Sequence, residues 1–480
     1  MNHSIIRYII GMVLLFESAF MMLPCIVAVI YQEKSGFAFL FVTIICLLLG
    51  FVLARRRPKN QVYFAREGFV IVALSWIVMS IFGAFPFVIS GEIPNFIDAL
   101  FETISGFTTT GASILNNVEA LSHAALFWRS FTHWIGGMGV FVFLLAVLPM
   151  TGGYNMHLMK AESPGPSVGK LVPKVRDTAK ILYIIYFSMT LVECILLLIA
   201  KMPLFDAMTT AFGTAGTGGF GIKNSSLGGY SSAIQTIVTI FMILFGINFN
   251  AYYLLILGKN KKDAFKINEV KWYLGIILAT TIIITANVTD IFGNVFKAFH
   301  HTLFQVASII TTTGFSTTDF NLWPQLSKTL LVVLMFIGAC AGSTGGGIKV
   351  SRIMILLKTV KQEMSHFIHP RSVKTIKMDD KALDKDMVRS VSAFMVTYTI
   401  IFGASLIILA FDNLDLVTNF TAVTATINNI GPGLELVGPV GNFSAFSPLA
   451  KCVLMFDMLA GRLELYPILL LFAPSVWKKN

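Results

Sequence analysis

Charge is what this chain has least of. Only 13% of its 480 residues are Asp, Glu, Lys or Arg, about half the share found in soluble domains. A water-soluble chain of this length would form two or three charge-covered domains, and that class is excluded. Cysteine is scarce too. Cys25, Cys46, Cys194, Cys340 and Cys452 stand apart, in or beside apolar segments. No disulfide framework and no metal-ligand spacing follows, and packing thiols are the plain reading. The apolar stretches carry no GxSxG, no HExxH and no paired catalytic carboxylates, so nothing in them supports an enzyme. Among the histidines, His366 and His369 are suitably spaced for a metal but lack a third ligand.

What the chain has in excess is apolar surface: 55% hydrophobic residues and a mean hydropathy of +0.76. Runs at 11–31, 37–53, 69–89, 126–149 and 181–200 each approach the ~20 residues that cross a bilayer as a helix. The first is too long for a signal peptide, and Met21-Met22-Leu23-Pro24-Cys25 continues apolar without a small-residue cleavage pattern. A net charge of +11 would suit nucleic acid, so its placement matters. With the amino terminus inside and about ten spans following, the inner segments collect most of the basic residues. They hold Arg7; Arg55, Arg56, Arg57, Lys59 and Arg66; Lys160, Lys170, Lys174, Arg176 and Lys180; Lys259, Lys261, Lys262, Lys266 and Lys271; the stretch 349–389; and Lys478 and Lys479. That is the positive-inside bias of a multi-pass membrane protein with both termini cytoplasmic. Lipid is the implied partner, and nucleic acid is not required.

Two polar runs interrupt the oil: "FTTTGAS" at 107–113 and "IITTTGFS" at 309–316. Aligned on glycine, both have phenylalanine ten residues earlier and serine six residues earlier. Two weaker relatives are "DAMTTAFGTAGTGGFG" (206–221) and "NFTAVTATINNIGPG" (419–433). The matched glycines are Gly111, Gly219, Gly314 and Gly431, each between apolar segments. Each unit reads as membrane helix, half-helix of about a dozen residues, glycine turn and membrane helix. The half-helix is too short to cross. A turn at membrane depth must be buried in protein or face water. The predicted fold is an all-α membrane protein: four pseudo-symmetric helix–pore loop–helix repeats around one pore, plus an N-terminal two-helix hairpin. The hairpin occupies 1–60 and the repeats 61–152, 153–260, 261–365 and 366–480. A ring of carbonyls can replace the water shell of a potassium ion, and glycine lets the backbone face inward. The half-helix C-termini would favour a cation there. The plain alternative for any single turn is a bend or a helix cap.

These features resemble the TrkH/KtrB superfamily of potassium-transport membrane subunits along the whole chain. The marks are "FETISGFTTTGAS", "WRSFTHWIGGMGV" (128–140), "TTTGFSTTDFNLWP" (311–324), "CAGSTGGGIKVSR" (340–352), "NNIGPGL" and "AGRLELYP" (460–467). The N-terminal hairpin is more similar to the TrkH branch. The resemblance implies a selectivity filter made of Thr109-Thr110-Gly111, Thr217-Gly218-Gly219, Thr312-Thr313-Gly314 and Asn429-Ile430-Gly431. Turns two and four depart from a threonine run, which predicts a clear but not absolute preference for potassium over sodium. Glycine at all four places differs from sodium-preferring relatives, in which serine replaces the first. Also implied are a homodimer in the plasma membrane of a prokaryote and a cytosolic nucleotide-binding regulatory subunit of the TrkA/KtrA kind. ATP, ADP or NAD(H) would sit on that partner only. Potassium is the substrate, and no covalent cofactor is expected.

Gly342, Ser343, Thr344, Gly345, Gly346 and Gly347 interrupt the apolar stretch 330–357. Each glycine costs a helix about 1 kcal/mol relative to alanine. The resemblance makes this break an intramembrane gate, and close helix packing is the alternative. Arg462 is expected near the middle of a span at 448–473, where charge is expensive. The resemblance puts it in the pore as a barrier to cations; pairing with Asp457 or Glu464 is the other reading. Glu17 and Glu193 also fall within spans, as hydrogen-bonded structural carboxylates or as proton or sodium sites. A potassium symporter coupled to either ion is therefore the rival function. Asp98, Glu102, Asp206, Asp319, Asp415 and Glu435 could gather cations at the outer mouth or simply be a solvated surface. The loop 358–389 is the natural contact for a regulatory subunit, or else for lipid headgroups.

Overall fold

The computed structural model describes residues 1–58, 65–139, 175–258, 260–371, 375–379 and 381–477. Within them the only strands are a two-residue hairpin, Lys377–Met378 against Lys381–Ala382. The expected span 126–149 runs out of the described residues after Gly139. Lys59, Lys160, Lys170, Lys174, Lys259, Lys374, Lys478 and Lys479 also lie outside them.

α1 (His3–Ile30) and α2 (Ser35–Ala54) form the N-terminal hairpin. Then one unit recurs. α3 (Ala65–Ser90), α4 (Phe96–Phe107) and α5 (His123–Met138) make the first copy. The second is α6 (Val175–Ile199), α7 (Leu204–Ala215) and α8 (Ser232–Phe245), extended by α9 (Phe249–Leu257). The third is α10 (Asn268–Phe292), α11 (Val295–Ile310), α12 (Gln325–Met335) and α13 (Val350–Ile368). The fourth is α14 (Lys385–Leu409), α15 (Leu416–Ile427), α16 (Pro448–Arg462) and α17 (Tyr466–Leu471).

Local chemistry sets where these helices start. Asn95, Asn294 and Asp415 accept backbone N–H bonds at the heads of the half-helices α4, α11 and α15. Ser122, Ser231 and Ser447 do the same for the inner helices α5, α8 and α16, satisfying donors that a helix start leaves open. The long helices turn apolar side chains outward. Phe37, Phe41, Leu48 and Phe51 on α2, and Ile184, Phe187 and Leu191 on α6, are all at least half exposed. A continuous apolar exterior is what a hydrocarbon solvent requires.

Among the described residues six helices are long and apolar enough to span a membrane, with one further bent pair. The sequence led us to expect ten continuous or nearly continuous spans, with a break only in the third repeat. Instead, among the described residues the inner helices of the second, third and fourth units are all interrupted. α5 can be followed only to Gly139 (φ 82°), the last described residue of the first unit. α8 and α9 meet at 89°, where Asn248 caps α9. α12 and α13 are separated by a loop at 336–349. α16 ends at Arg462, so the expected span 448–473 is broken, and Arg462 sits at a helix end rather than mid-span. Glu464 and Leu465 take left-handed backbone there (φ 60° and 65°), a conformation that ends a helix for any non-glycine residue.

Candidate functional site

The four turns that close the half-helices share one backbone scheme although their sequences differ. Residues Thr109, Thr217, Thr312 and Asn429 have φ of 54°, 54°, 59° and 55°; two positions later Gly111, Gly219, Gly314 and Gly431 have φ of 79°, 76°, 87° and 95°. The N–H of each intervening residue reaches back five places. Thr110 bonds Ser105 O at 2.8 Å, Gly218 bonds Gly213 O at 2.8 Å, Thr313 bonds Ser308 O at 2.9 Å and Ile430 bonds Ala425 O at 2.9 Å. A residue without positive φ thus stands between two residues with positive φ in each turn.

The turns also touch in chain order. A Cβ built on Gly111 would lie 2.0 Å from Gly218 O, and one on Gly219 would lie 1.9 Å from Thr313 O. One on Gly314 would lie 2.2 Å from Ile430 O, and one on Gly431 2.7 Å from Thr110 O, which closes the ring. Glycine is needed at each place twice over: the positive φ disfavours a side chain, and a neighbouring carbonyl occupies the space. All four glycines line one cavity of about 140 Å³.

Side chains brace the ring from behind. Thr108 and Thr110 share a hydroxyl hydrogen bond at 2.8 Å, as do Thr311 and Thr313. Asn429 stands where the other turns have threonine, and its Nδ2 donates to Thr110 Oγ1 (3.0 Å) and Met458 O (2.9 Å), joining turn four to turn one. His133, which sequence reasoning passed over, accepts from Phe220 N at 3.2 Å through Nε2 and reaches Gly106 O at 2.8 Å through Nδ1. Those partners require the neutral ring with its proton on Nδ1. Its place inside "WRSFTHWIGG", on a helix facing a glycine turn, was the available signal.

Arg129 and Glu102 form a buried ion pair (Nε–Oε1 2.6 Å), both almost without solvent contact. Glu102 also accepts from Ser113 Oγ and Ile114 N on the chain leaving turn one. Arg129 donates to Gly221 O at 3.0 Å and lies over the Phe220 ring, just past turn two. The pair therefore sets one turn against the next. Gln305 holds the position matching Glu102 in the third unit and donates to Thr318 O.

The outer carboxylates are mostly engaged elsewhere. Asp98 pairs with Lys451 at 2.6 Å, Asp206 accepts from the Tyr230 hydroxyl, and Asp319 and Asp415 accept from backbone N–H groups at turn and helix starts. None of the six expected acids is among the cavity-lining residues, which include Asn116, Asn224 and Asn442. The mouth is thus polar through amides, together with Arg129 and Lys223, rather than through carboxylates. Glu17 is buried without a hydrogen-bond partner for either oxygen among the described residues, against Phe107 and Ile135. That departs from the hydrogen-bonded carboxylate the sequence suggested.

Beneath the ring lies the loop 336–349. Gly346 N donates to Thr312 Oγ1 at 2.7 Å, and a Cβ on Gly346 would meet Asn429 Cβ at 2.8 Å. A Cβ on Gly345 would stand 3.0 Å from Thr311 O. Gly342 and Gly347 have φ of 68° and 67°. Ser343 Oγ folds back on Cys340 O (2.6 Å), and Thr344 bonds Phe245 O. Glu269 pins the far end of the loop by accepting from Ala341 N and Ser351 N. The buried Lys349 ammonium donates to Gly345 O and Gly346 O. Arg462 donates to Thr344 O (2.9 Å), Gly136 O (2.5 Å) and Gly137 O (2.8 Å), so it ties the loop to the end of α5. Glu464 pairs with Arg352, and Asp457 accepts from Ser405.

Fold and site together define a multi-pass helical membrane protein in which re-entrant half-helices meet in a glycine-turn ring above a loop. The description "Cation transport protein", of the TrkH family, matches residues 35–479, and the chain belongs to that family. It is 38% identical to the Trk system potassium uptake protein TrkH of Salmonella typhimurium and 37% identical to that of Escherichia coli K12, over the full length of both chains in each case. The solved structure of the potassium transporter TrkH from Vibrio parahaemolyticus superimposes with a TM-score of 0.88 at 34% identity, covering both chains completely.

Proposed function

We propose that this chain takes up potassium across a bacterial plasma membrane, and that the ring of four turns is its selectivity filter. The closed contact order of Gly111, Gly219, Gly314 and Gly431 carries this reading. Carbonyls of Thr109–Gly111, Thr217–Gly219, Thr312–Gly314 and Asn429–Gly431 would replace ion hydration. The four half-helices would direct the negative ends of their dipoles toward the ion. Loop 336–349 is the gate, and Arg462 holds it shut while placing a fixed positive charge in the cation path. A channel-like path is favoured over coupled symport because the unit recurs four times in one direction, whereas coupled carriers built from broken helices commonly use inverted pairs around one site. A homodimer with cytoplasmic termini and a nucleotide-binding cytosolic subunit completes the reading; the segment 358–389, which the sequence suggested as a loop, comprises the last turns of α13, the link and the start of α14, and is the surface offered to that subunit.

The test is growth of a potassium-uptake-deficient bacterium at low potassium, with this chain expressed alone and with a regulatory subunit. Rescue is expected with both. Failure with both, given membrane-inserted protein, would remove the assignment. The gate makes its own prediction. Arg462→Ala should raise rubidium flux into proteoliposomes about tenfold, as expected if a barrier drops by ~1.4 kcal/mol. Unchanged flux from folded protein would leave Arg462 a purely structural clamp.

A further inference from the structure

A second cavity, of about 560 Å³, lies away from the ring, in the cleft between α6 and the bent pair α8–α9. Ile181, Ile185 and Met189 form one wall, with Leu244, Tyr252 and Ile256 opposite. It is apolar almost throughout. From Ile181 to Val192 it follows α6 for about 16 Å, roughly one leaflet of a ~30 Å hydrocarbon core.

One end is basic. Lys180 precedes Ile181 on α6 and is exposed, as are Lys261 and Lys262, which follow the last lining residue, Leu257, within five positions. Among the described residues the acids at this end are Asp177 and Asp263, and Asp263 is paired with Lys266. Phe265 and Trp272 are also exposed there, at 71% and 47%, as side chains at a membrane–water boundary are. Apolar walls one leaflet long, ending in lysines beside interfacial aromatics, match an anionic phospholipid: acyl chain within, headgroup at the basic end.

The same wall carries the α8–α9 bend, and the bend holds the loop. Tyr252 Oη donates to Leu244 O at 2.6 Å across the bend. Phe249 N donates to Gly342 O at 2.9 Å, and Cys340 N donates to Gly246 O at 3.1 Å. An acyl chain against Leu244 and Tyr252 would therefore press on the hinge that loop 336–349 rests upon.

We propose that the cleft between α6 and α8–α9 is a binding site for one anionic phospholipid, which steadies the bend supporting loop 336–349. The binding claim rests on the chain lying in a membrane and not on the ion it carries.

Native mass spectrometry of the detergent-purified full chain tests it, using phosphatidylglycerol and phosphatidylcholine of equal acyl length. Wild type should retain phosphatidylglycerol at least tenfold better. Lys180→Gln/Lys261→Gln/Lys262→Gln should lose that preference. Ser188→Phe, which fills the cleft, should lose both lipids, and Ile400→Phe on an outward face of α14 should lose neither. Size-exclusion profiles identify folded variants, and the lysine variant decides alone if the cleft-filling one misfolds. Equal retention of the two lipids by wild type overturns the proposal, as does an unchanged preference in the lysine variant. A dimer that dissociates in Ser188→Phe without loss of lipid also overturns it, because a second copy would then be the occupant. Rubidium flux in vesicles with and without phosphatidylglycerol reads the coupling separately: a rise or fall of at least threefold supports it, and identical flux removes it.

Discussion

Gly219→Ala is expected to abolish growth rescue at low potassium and to cut rubidium flux by about 100-fold, with the protein still inserted. The alanine Cβ would fall 1.9 Å from Thr313 O, a backbone atom that cannot swing away as a side chain could. Its φ of 76° adds strain of its own, of order 1–3 kcal/mol. Turn two must move, and with it the oxygen ring shared with turn three. Gly111→Ala and Gly314→Ala should behave alike, with clashes at 2.0 and 2.2 Å. Gly431→Ala should be mildest, because its nearest carbonyl stands at 2.7 Å. Gly293→Ala is the control: φ is 64°, but nothing lies within 4 Å of the added methyl, so flux should stay near wild type. Equal loss in all five variants would mean that backbone strain alone, rather than the ring, explains the effect.

Arg129→Met should destabilise the folded protein by about 3–5 kcal/mol, the usual result of stranding one partner of a buried ion pair. Glu102 would keep its bonds from Ser113 and Ile114 but lose the only cation paired with it among the described residues. A lowered thermal midpoint in size-exclusion assays is the readout. Arg129→Met together with Glu102→Met should recover much of the loss, because removing both charges leaves neither stranded. That makes the two changes strongly non-additive. The pair also spaces turn one from turn two through Gly221 and Phe220. Surviving single-variant protein should thus discriminate potassium from sodium less well. Additive losses would place Arg129 and Glu102 in separate structural roles.

Much of the architecture is legible in the amino-acid order. Low charge, apolar runs and the bias of basic residues identify a multi-pass helical protein, because lipid permits few other solutions. The recurring glycine turns were legible as well, even where "NNIGPG" retains no threonine, since positive φ selects for glycine locally. Arg462 and the loop glycines stood out through the cost of placing them in a span.

Other features depended on what meets what across the chain. Sequence pattern foresaw one broken inner helix, yet α8–α9 and α16–α17 also break. Hydropathy cannot detect such a break, because residues on both sides of it are apolar and the bend is held by contacts with the loop and the half-helices. His133 looked ordinary until Gly106 and Phe220 came within its reach. Glu102 looked like a surface acid until Arg129 closed on it. Local backbone preference and solvent class are properties of short segments, so the amino-acid order alone determined the half-helices, the turns and the membrane setting. Ring closure, the clamp of Arg462 on Thr344, Gly136 and Gly137, and a mouth without carboxylates join residues hundreds of positions apart, and only tertiary packing decided them.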